Sequence, residues 1–140
     1  LLATNYAFSR FIGVKFSNQL NQIAQTNIGQ FKLNNEEKRE IKVVNLDAVD
    51  FTFPLEPITL YMFNPFGPPV LVKVLNNLVA SLNENPRPVW IVYYNSKHTS
   101  IFDSFGAFKK LFSDESPKYN RTWLDNSLPY TVYYADGIKN

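Results

Sequence analysis

The chain has 140 residues, of which 45% are hydrophobic and 16% aromatic. This length suits one domain with a real core, and the composition excludes a disordered chain. Fourteen Lys and Arg against 12 Asp and Glu give a net charge of +2. Because the basic residues are scattered, the charge gives no clear nucleic-acid signal.

The absence of cysteine excludes disulfides, thiolate metal sites and a cysteine nucleophile, and it favours a cytoplasmic protein. The single histidine, His98, cannot form a histidine-based zinc site alone, so no metal is expected. No apolar run approaches the roughly 20 residues that span a bilayer. We therefore expect no membrane partner, while a homo-oligomer stays open.

The first elements predicted along the chain are a strand, a helix and a second strand. Phe11–Phe16 is rich in β formers, and Ser17 is a suitable N-cap for the helix that follows. The apolar face of that helix is marked by Leu20, Ile23, Ala24, Ile28 and Phe31. Residues 41–46 predict the second strand, which ends in Asp47 and Ala48.

A third strand is predicted at Ile58–Phe63, apolar on both faces as in a sheet covered by helices on both sides. The helix after it follows from an apolar stripe at Leu71, Val74, Leu75, Leu78 and Leu82. Val89–Tyr94 predicts a fourth buried strand. The remaining segments are one or two helical turns at Ile101–Phe105, strands at Phe108–Phe112 and Pro129–Ala135, and Trp123 in a loop or an approach to the last strand.

This alternation predicts an α/β fold with a doubly wound, mostly parallel sheet and helices on both faces. Because no helix separates the last two strands, they should form an antiparallel hairpin at one edge. We expect residues 1–140 to form a single domain.

Three short stretches resemble the class I S-adenosylmethionine-dependent methyltransferases, which have a Rossmann-like fold. These are Ile12–Ser17, followed by Leu20 and Ala24, then Leu46–Ala48, and then Phe63–Gly67. The resemblance implies S-adenosylmethionine as the small-molecule cofactor and leaves the methyl acceptor unknown. The cofactor-binding residues that it implies are Lys15, Phe16, Asp47, Ala48 and Asn64.

The cofactor side of the implied site departs from the family at one position. The family normally has an acidic residue where Lys15 stands, because a carboxylate accepts hydrogen bonds from both ribose hydroxyls. Lys15 is equally interpreted as an exposed lysine at a strand end. Asp47 and Ala48 resemble the family's adenine contact, and Asp47 is equally typical of a turn.

On the substrate side, Asn64-Pro65-Phe66-Gly67 resembles the Asn-Pro-Pro-aromatic motif of amino-directed methyltransferases, with the second proline missing. In that motif the Asn side chain accepts from the target amine and the aromatic ring packs on the substrate. The alternative is a strand-to-helix turn with Phe66 in the core. His98 follows the fourth strand and is a candidate general base or a surface histidine. The catalytic candidates are therefore Asn64, Pro65, Phe66 and His98.

The family's glycine-rich cofactor loop is absent, since none of the five glycines supplies it. The resemblance implies that Leu1–Thr4 ends the helix after that loop and that a central strand, between those holding Gly13 and Tyr61, lies upstream. We therefore expect a truncated methyltransferase. The alternative is a non-catalytic binding module that keeps the fold. A dinucleotide-binding domain is disfavoured because its site also needs an acidic residue after the second strand.

Overall fold

The computed structural model describes residues 7–34, 40–114 and 128–137, and the account below concerns these residues. The elements in chain order are β1 (Arg10–Lys15), α1 (Asn18–Asn34), β2 (Glu40–Asn45), a 3-10 turn (Ala48–Asp50), β3 (Ile58–Phe63), α2 (Pro68–Glu84), β4 (Val89–Tyr94), α3 (Thr99–Ser104), β5 (Lys109–Asp114) and β6 (Tyr130–Ala135). They divide into two compact units, one ending at Phe51 and one beginning at Thr52.

The first unit is a β-α-β arrangement. β1 and β2 are parallel and pair in register from Arg10 with Glu40 to Lys15 with Asn45. Helix α1 connects them and packs on both strands. Among residues 7–31 and 40–51 no residue is fully buried.

The second unit contains a four-stranded sheet in the order β3-β4-β6-β5. β3 and β4 are parallel, and β6 runs antiparallel to both β4 and β5. The register between β5 and β6 shifts between Lys110 and Phe112, as it does at a β-bulge. The predicted antiparallel pairing of the last two strands at a sheet edge is confirmed.

The core of the second unit lies between α2, α3 and one face of this sheet. All five apolar residues predicted for the α2 stripe are buried. On the sheet, alternate residues of β4 and β6 point to the same side, including Ile91, Tyr93 and Tyr133. Phe102 of α3 stacks on Tyr133 with ring centroids 4.5 Å apart, and its ring lies 5.2 Å from that of Tyr93.

The opposite face of the same sheet is aromatic and partly exposed. Tyr61 and Phe63 of β3 are 62% and 51% exposed, and Trp90 of β4 is 40% exposed. Their rings contact neighbours across the strands, with Phe63 5.4 Å from Tyr94 and Trp90 5.3 Å from Tyr134. The two described helices of this unit therefore pack on one face of its sheet.

The predicted elements agree closely with the observed ones. β3 and β4 have the predicted bounds, and the other strands differ by one or two residues at an end. The described residues form two sheets, and β1 and β3 are not paired with each other. The expectations for Leu1–Thr4 and Trp123 lie outside the described residues. No helix in the described ranges has both the length and the apolar character needed to cross a membrane.

Candidate functional site

Four of the five predicted cofactor-binding residues share one edge of the sheet in the first unit, and the fifth, Asn64, belongs to the second unit. Lys15 ends β1, Phe16 follows it, and Asp47 and Ala48 come after the end of β2. Because β1 and β2 are parallel, both carboxyl ends lie at the same edge. The backbone N–H of Leu46 donates to the carbonyl of Lys15 at 3.0 Å and continues the pairing into the turn.

Asn45 lies between the end of β1 and the start of α1. Its side-chain amide is 2.8 Å from the carbonyl oxygen of Lys15 and 3.0 Å from that of Phe16, within reach of hydrogen bonds when Nδ2 is turned toward them. The same side chain contacts Asn18 at the start of α1.

Asp47 acts as the N-cap of the 3-10 turn. Its Oδ1 accepts from the backbone N–H of Val49 at 3.1 Å, and its carbonyl accepts from Asp50 N–H at 3.0 Å. The sequence analysis gave this position in a turn as one of two interpretations of Asp47. A carboxylate has about four lone-pair sites, so the cap leaves acceptor capacity on an exposed side chain.

Lys15 and Phe16 both face solvent at this edge. Phe16 is 80% exposed, and Lys15 is an exposed strand-end residue. An ammonium group has three donors and no acceptor. Lys15 therefore cannot accept hydrogen bonds from a ribose diol, although it can donate one to it.

In the second unit the predicted catalytic residues also follow parallel strands. Asn64, Pro65 and Phe66 come after β3, and His98 comes after β4, so they lie toward the same edge. Asn64 has φ 39°, in the left-handed region, and so does Asn95 after β4, with φ 53°. Asn tolerates this conformation better than most residues, which explains why both strands turn at an Asn.

Tyr93 connects the two turns. Its hydroxyl donates to Asn64 Oδ1 at 2.6 Å. Burial raises the pKa of Tyr93, and hydrogen bonds from the backbone of His98 and Lys97 oppose that rise. The alternation of Tyr93 and Tyr94 along β4 indicates that one of them is core, but it does not reveal this contact.

The remaining candidates have ordinary local roles. His98 is half-buried just before α3, where its carbonyl accepts from Ile101 N–H at 3.1 Å and its side chain caps nothing. Pro65 is exposed and Phe66 is half-buried. The structure thus groups Lys15 with Phe16, Asp47 and Ala48 in one unit and the four catalytic candidates in the other, and their functional roles stay predictions.

Solved structures share this fold. A putative methylase from Haemophilus influenzae has a TM-score of 0.61 at 12% identity, over 96% of this chain and 77% of the other. A putative methyltransferase from Escherichia coli has a TM-score of 0.55 at 12% identity, over 93% and 66%. An rRNA methylase from Streptococcus thermophilus has a TM-score of 0.54 at 11% identity, over 91% and 73%.

The fold is that of the Rossmann-like methyltransferases. The resemblance found in the sequence is thereby confirmed at the level of the fold. Neither protein-family models nor the sequences of curated proteins give a match to this chain. At 11 or 12% identity the likeness concerns architecture, and the activity has to be argued from the residues.

Proposed function

We propose that this chain is a methyltransferase domain that uses S-adenosylmethionine. The observation that carries the proposal is the placement of the candidate residues. In each unit they follow the carboxyl ends of a parallel strand pair, which is where open α/β sheets bind ligands. The likeness to methyltransferase structures supports the choice of this chemistry over others.

The residues of the first unit fit the adenine part of the cofactor. Adenine presents an amino donor beside a ring-nitrogen acceptor. The unused lone pairs of Asp47 suit the amine, and a backbone N–H at Ala48 suits the ring nitrogen. The fit at the ribose is weaker, because Lys15 contributes a donor where two hydroxyls need an acceptor.

S-adenosylmethionine supplies a methyl group that its sulfonium makes ready for direct displacement. Such a transfer depends mainly on alignment, so the chain needs no acid–base pair for it. The side chain of Asn64 would hold the nitrogen atom that receives the methyl group, and Phe66 would pack on a planar part of the substrate. His98 would take a proton if the acceptor has one to lose.

The acceptor is the open part of the proposal. One similar structure is an rRNA methylase, so RNA is the acceptor to test first, although the charge of this chain gives no nucleic-acid signal. We also propose that the active protein is longer at its amino terminus. The support is that β1 and β3 each have one strand partner among the described residues. Each of these edges is open to pairing with a further strand.

A non-catalytic binding module with the same fold is the second candidate. The observation in its favour is Lys15, which stands exposed where a ribose-binding carboxylate is expected. A domain that does not bind the cofactor has no need of this carboxylate as a hydrogen-bond acceptor. Its replacement by lysine would not destabilise the sheet.

Calorimetry with S-adenosylmethionine tests the proposal on two proteins, the 140-residue chain and the same reading frame extended upstream of Leu1. We expect micromolar binding by the extended protein and much weaker binding by the shorter one. Asp47→Asn retains an N-cap and removes the carboxylate, so it should weaken binding about tenfold. Asp136→Asn, an exposed change after β6, is the control.

Each outcome separates the candidates. No binding by the extended protein would favour the non-catalytic module. Micromolar binding by the 140-residue chain would contradict the expectation that cofactor binding requires a glycine-rich loop that this chain lacks. Equal binding by Asp47→Asn and wild type would remove Asp47 from the adenine site.

A further inference from the structure

The side chain of Asn64 is held in one orientation by its neighbour on β4. Tyr93 is 1% exposed, and its hydroxyl lies 2.6 Å from Asn64 Oδ1. Asn64 Oδ1 is the hydrogen-bond partner of this hydroxyl among the described residues.

Counting donors fixes which atom of Asn64 faces Tyr93. A phenol has one proton and accepts through its lone pairs. The proton goes to Asn64 Oδ1, because the described residues place no other acceptor within hydrogen-bond distance of the hydroxyl. If Nδ2 faced Tyr93 instead, the hydroxyl proton would have no acceptor in a buried place, which costs about 1–3 kcal/mol.

The other end of the carboxamide must then face away from Tyr93. Nδ2 of Asn64 has no hydrogen-bond partner among the described residues, and Asn64 is half-buried at the sheet edge. Its two protons are thus available to a ligand. One lone pair on Oδ1 also remains, because a carbonyl oxygen has two.

We propose that Tyr93 is a positioning residue that presets Asn64, so that this edge offers an amide donor beside a single carbonyl acceptor. This pair is complementary to a planar heteroaromatic amine whose amino group neighbours a ring nitrogen, as in adenine or cytosine. The inference rests on the proposed methyltransferase function for its ligand. The orientation of Asn64 stands independently of it.

Side-chain NMR of the 140-residue chain tests the orientation without any ligand. The Nδ2 resonances of Asn64 are assigned by their loss in Asn64→Asp. In the wild type we expect an order parameter near that of rigid backbone, about 0.85, and in Tyr93→Phe a value below about 0.6. The matched control is Tyr133→Phe, which removes the hydroxyl of another fully buried tyrosine, bonded to the carbonyl of Thr99.

The control separates positioning from packing. If Tyr133→Phe mobilises Asn64 as much as Tyr93→Phe does, the effect is general loosening and the inference is wrong. It is equally wrong if Asn64 stays ordered in Tyr93→Phe. Denaturation midpoints of both variants show that the comparison is made between folded proteins.

The functional consequence is tested on the extended protein with radiolabelled S-adenosylmethionine and with poly(A) or poly(C) as acceptor. Tyr93→Phe should lower kcat about tenfold or more, since misaligned reactants lose rate, and leave cofactor affinity unchanged. Asn64→Asp keeps the bond from Tyr93 and loses the donor, so it should also lower kcat. Tyr133→Phe should not.

The NMR experiment and the activity assay can fail independently of each other. Absence of cofactor binding by the wild-type extended protein would overturn the proposed function and leave the NMR result to decide the orientation of Asn64. An unchanged kcat in Tyr93→Phe would overturn the positioning role even if the enzyme is active.

Discussion

The two units bury their apolar side chains to very different extents. In the second unit, Leu75, Leu78 and Phe102 are completely buried. In the first unit no described residue is fully buried, and two members of the predicted apolar stripe of α1, Leu20 and Ile23, are 54% and 50% exposed. Both helices have apolar residues at helical spacing, so the difference does not come from the pattern.

The difference follows from the surface that each helix packs against. A four-stranded sheet offers α2 a broad apolar face, while the two strands β1 and β2 offer α1 a narrow one. A two-stranded sheet is marginally stable by itself and depends on the helix that packs against it. We infer that the second unit supplies most of the free energy of unfolding, and the predictions below test this contrast in order of decreasing effect.

The largest expected effect is a cavity in the second unit. Leu75→Ala removes a side chain with no exposed surface, so it should lower the free energy of unfolding by about 2–5 kcal/mol. Ile23→Ala, a change at a half-exposed position of the first unit, should cost less than about 1 kcal/mol because little contact is lost. Urea denaturation measures both.

Equal losses in the two variants would contradict the contrast. They would mean that the face of α1 carrying Ile23 is buried in solution. The first unit would then contribute as much stability as the second.

Two glycines give the next largest contrast. Gly137, after β6, has φ +88°, and a Cβ there would lie 2.6 Å from Cβ of Pro86. Gly137→Ala therefore combines a strained backbone with overpacking and should cost about 2 kcal/mol or more. At Gly13 in β1 the nearest atom to an added Cβ is in Val43, at 3.5 Å, an ordinary contact.

Gly13→Ala should accordingly leave stability unchanged or raise it slightly, because Ala restricts the unfolded chain. Thermal unfolding of the two variants checks the pair. A destabilisation by Gly13→Ala as large as that by Gly137→Ala would show that β1 is packed more tightly than its contacts indicate.

A third contrast compares polar contacts. Arg87 is 4% exposed and donates to the carbonyls of Ser81 and Asn85 at 3.0 and 2.8 Å, at the end of α2. Arg87→Met should cost about 1–3 kcal/mol because the carbonyl of Asn85 loses this donor and that of Ser81 keeps only the backbone N–H of Asn85. The ion pair of Lys42 with Glu40 on β2 is exposed, so Lys42→Ala should cost less than about 0.5 kcal/mol.

Denaturant midpoints at low and high salt distinguish the two polar contacts. The small effect at Lys42 should disappear in high salt, whereas the larger effect at Arg87 should persist because its partners are shielded from solvent. A salt-sensitive loss at Arg87 would place its guanidinium at the surface.

The sequence was sufficient for what depends on local pattern. The stripe of α2, the bounds of β3 and β4 and the placement of Asn64 and His98 at strand ends all follow from periodicity and from the rule that parallel strands share an edge. Asp47 as a turn former also follows from its residue type.

Contacts between distant segments could not be predicted in this way. Tyr93 and Asn64 are 29 positions apart, and alternation along β4 identifies a core tyrosine without showing what its hydroxyl reaches. The close approach of Gly137 to Pro86 is of the same kind. The exposure of Ile23 depends on the width of the facing sheet, which no pattern within α1 records.

The smallest expected effect concerns alkaline pH and the interior of the second unit. Because burial raises the pKa of Tyr93 above its ordinary value of about 10, the folded protein holds this proton more tightly than the unfolded chain does. The contribution is complete below about pH 10 and is lost as pH rises through the folded-state pKa. Tyr93→Phe lacks the proton, so its stability should fall less steeply above pH 10, while the two proteins should run parallel between pH 7 and 9. Denaturation in urea across this range measures how stability changes with pH in both proteins. Identical slopes above pH 10 would mean that the phenol of Tyr93 is open to water in the folded state. The interior of the second unit would then be less closed around Asn64 than its contacts indicate.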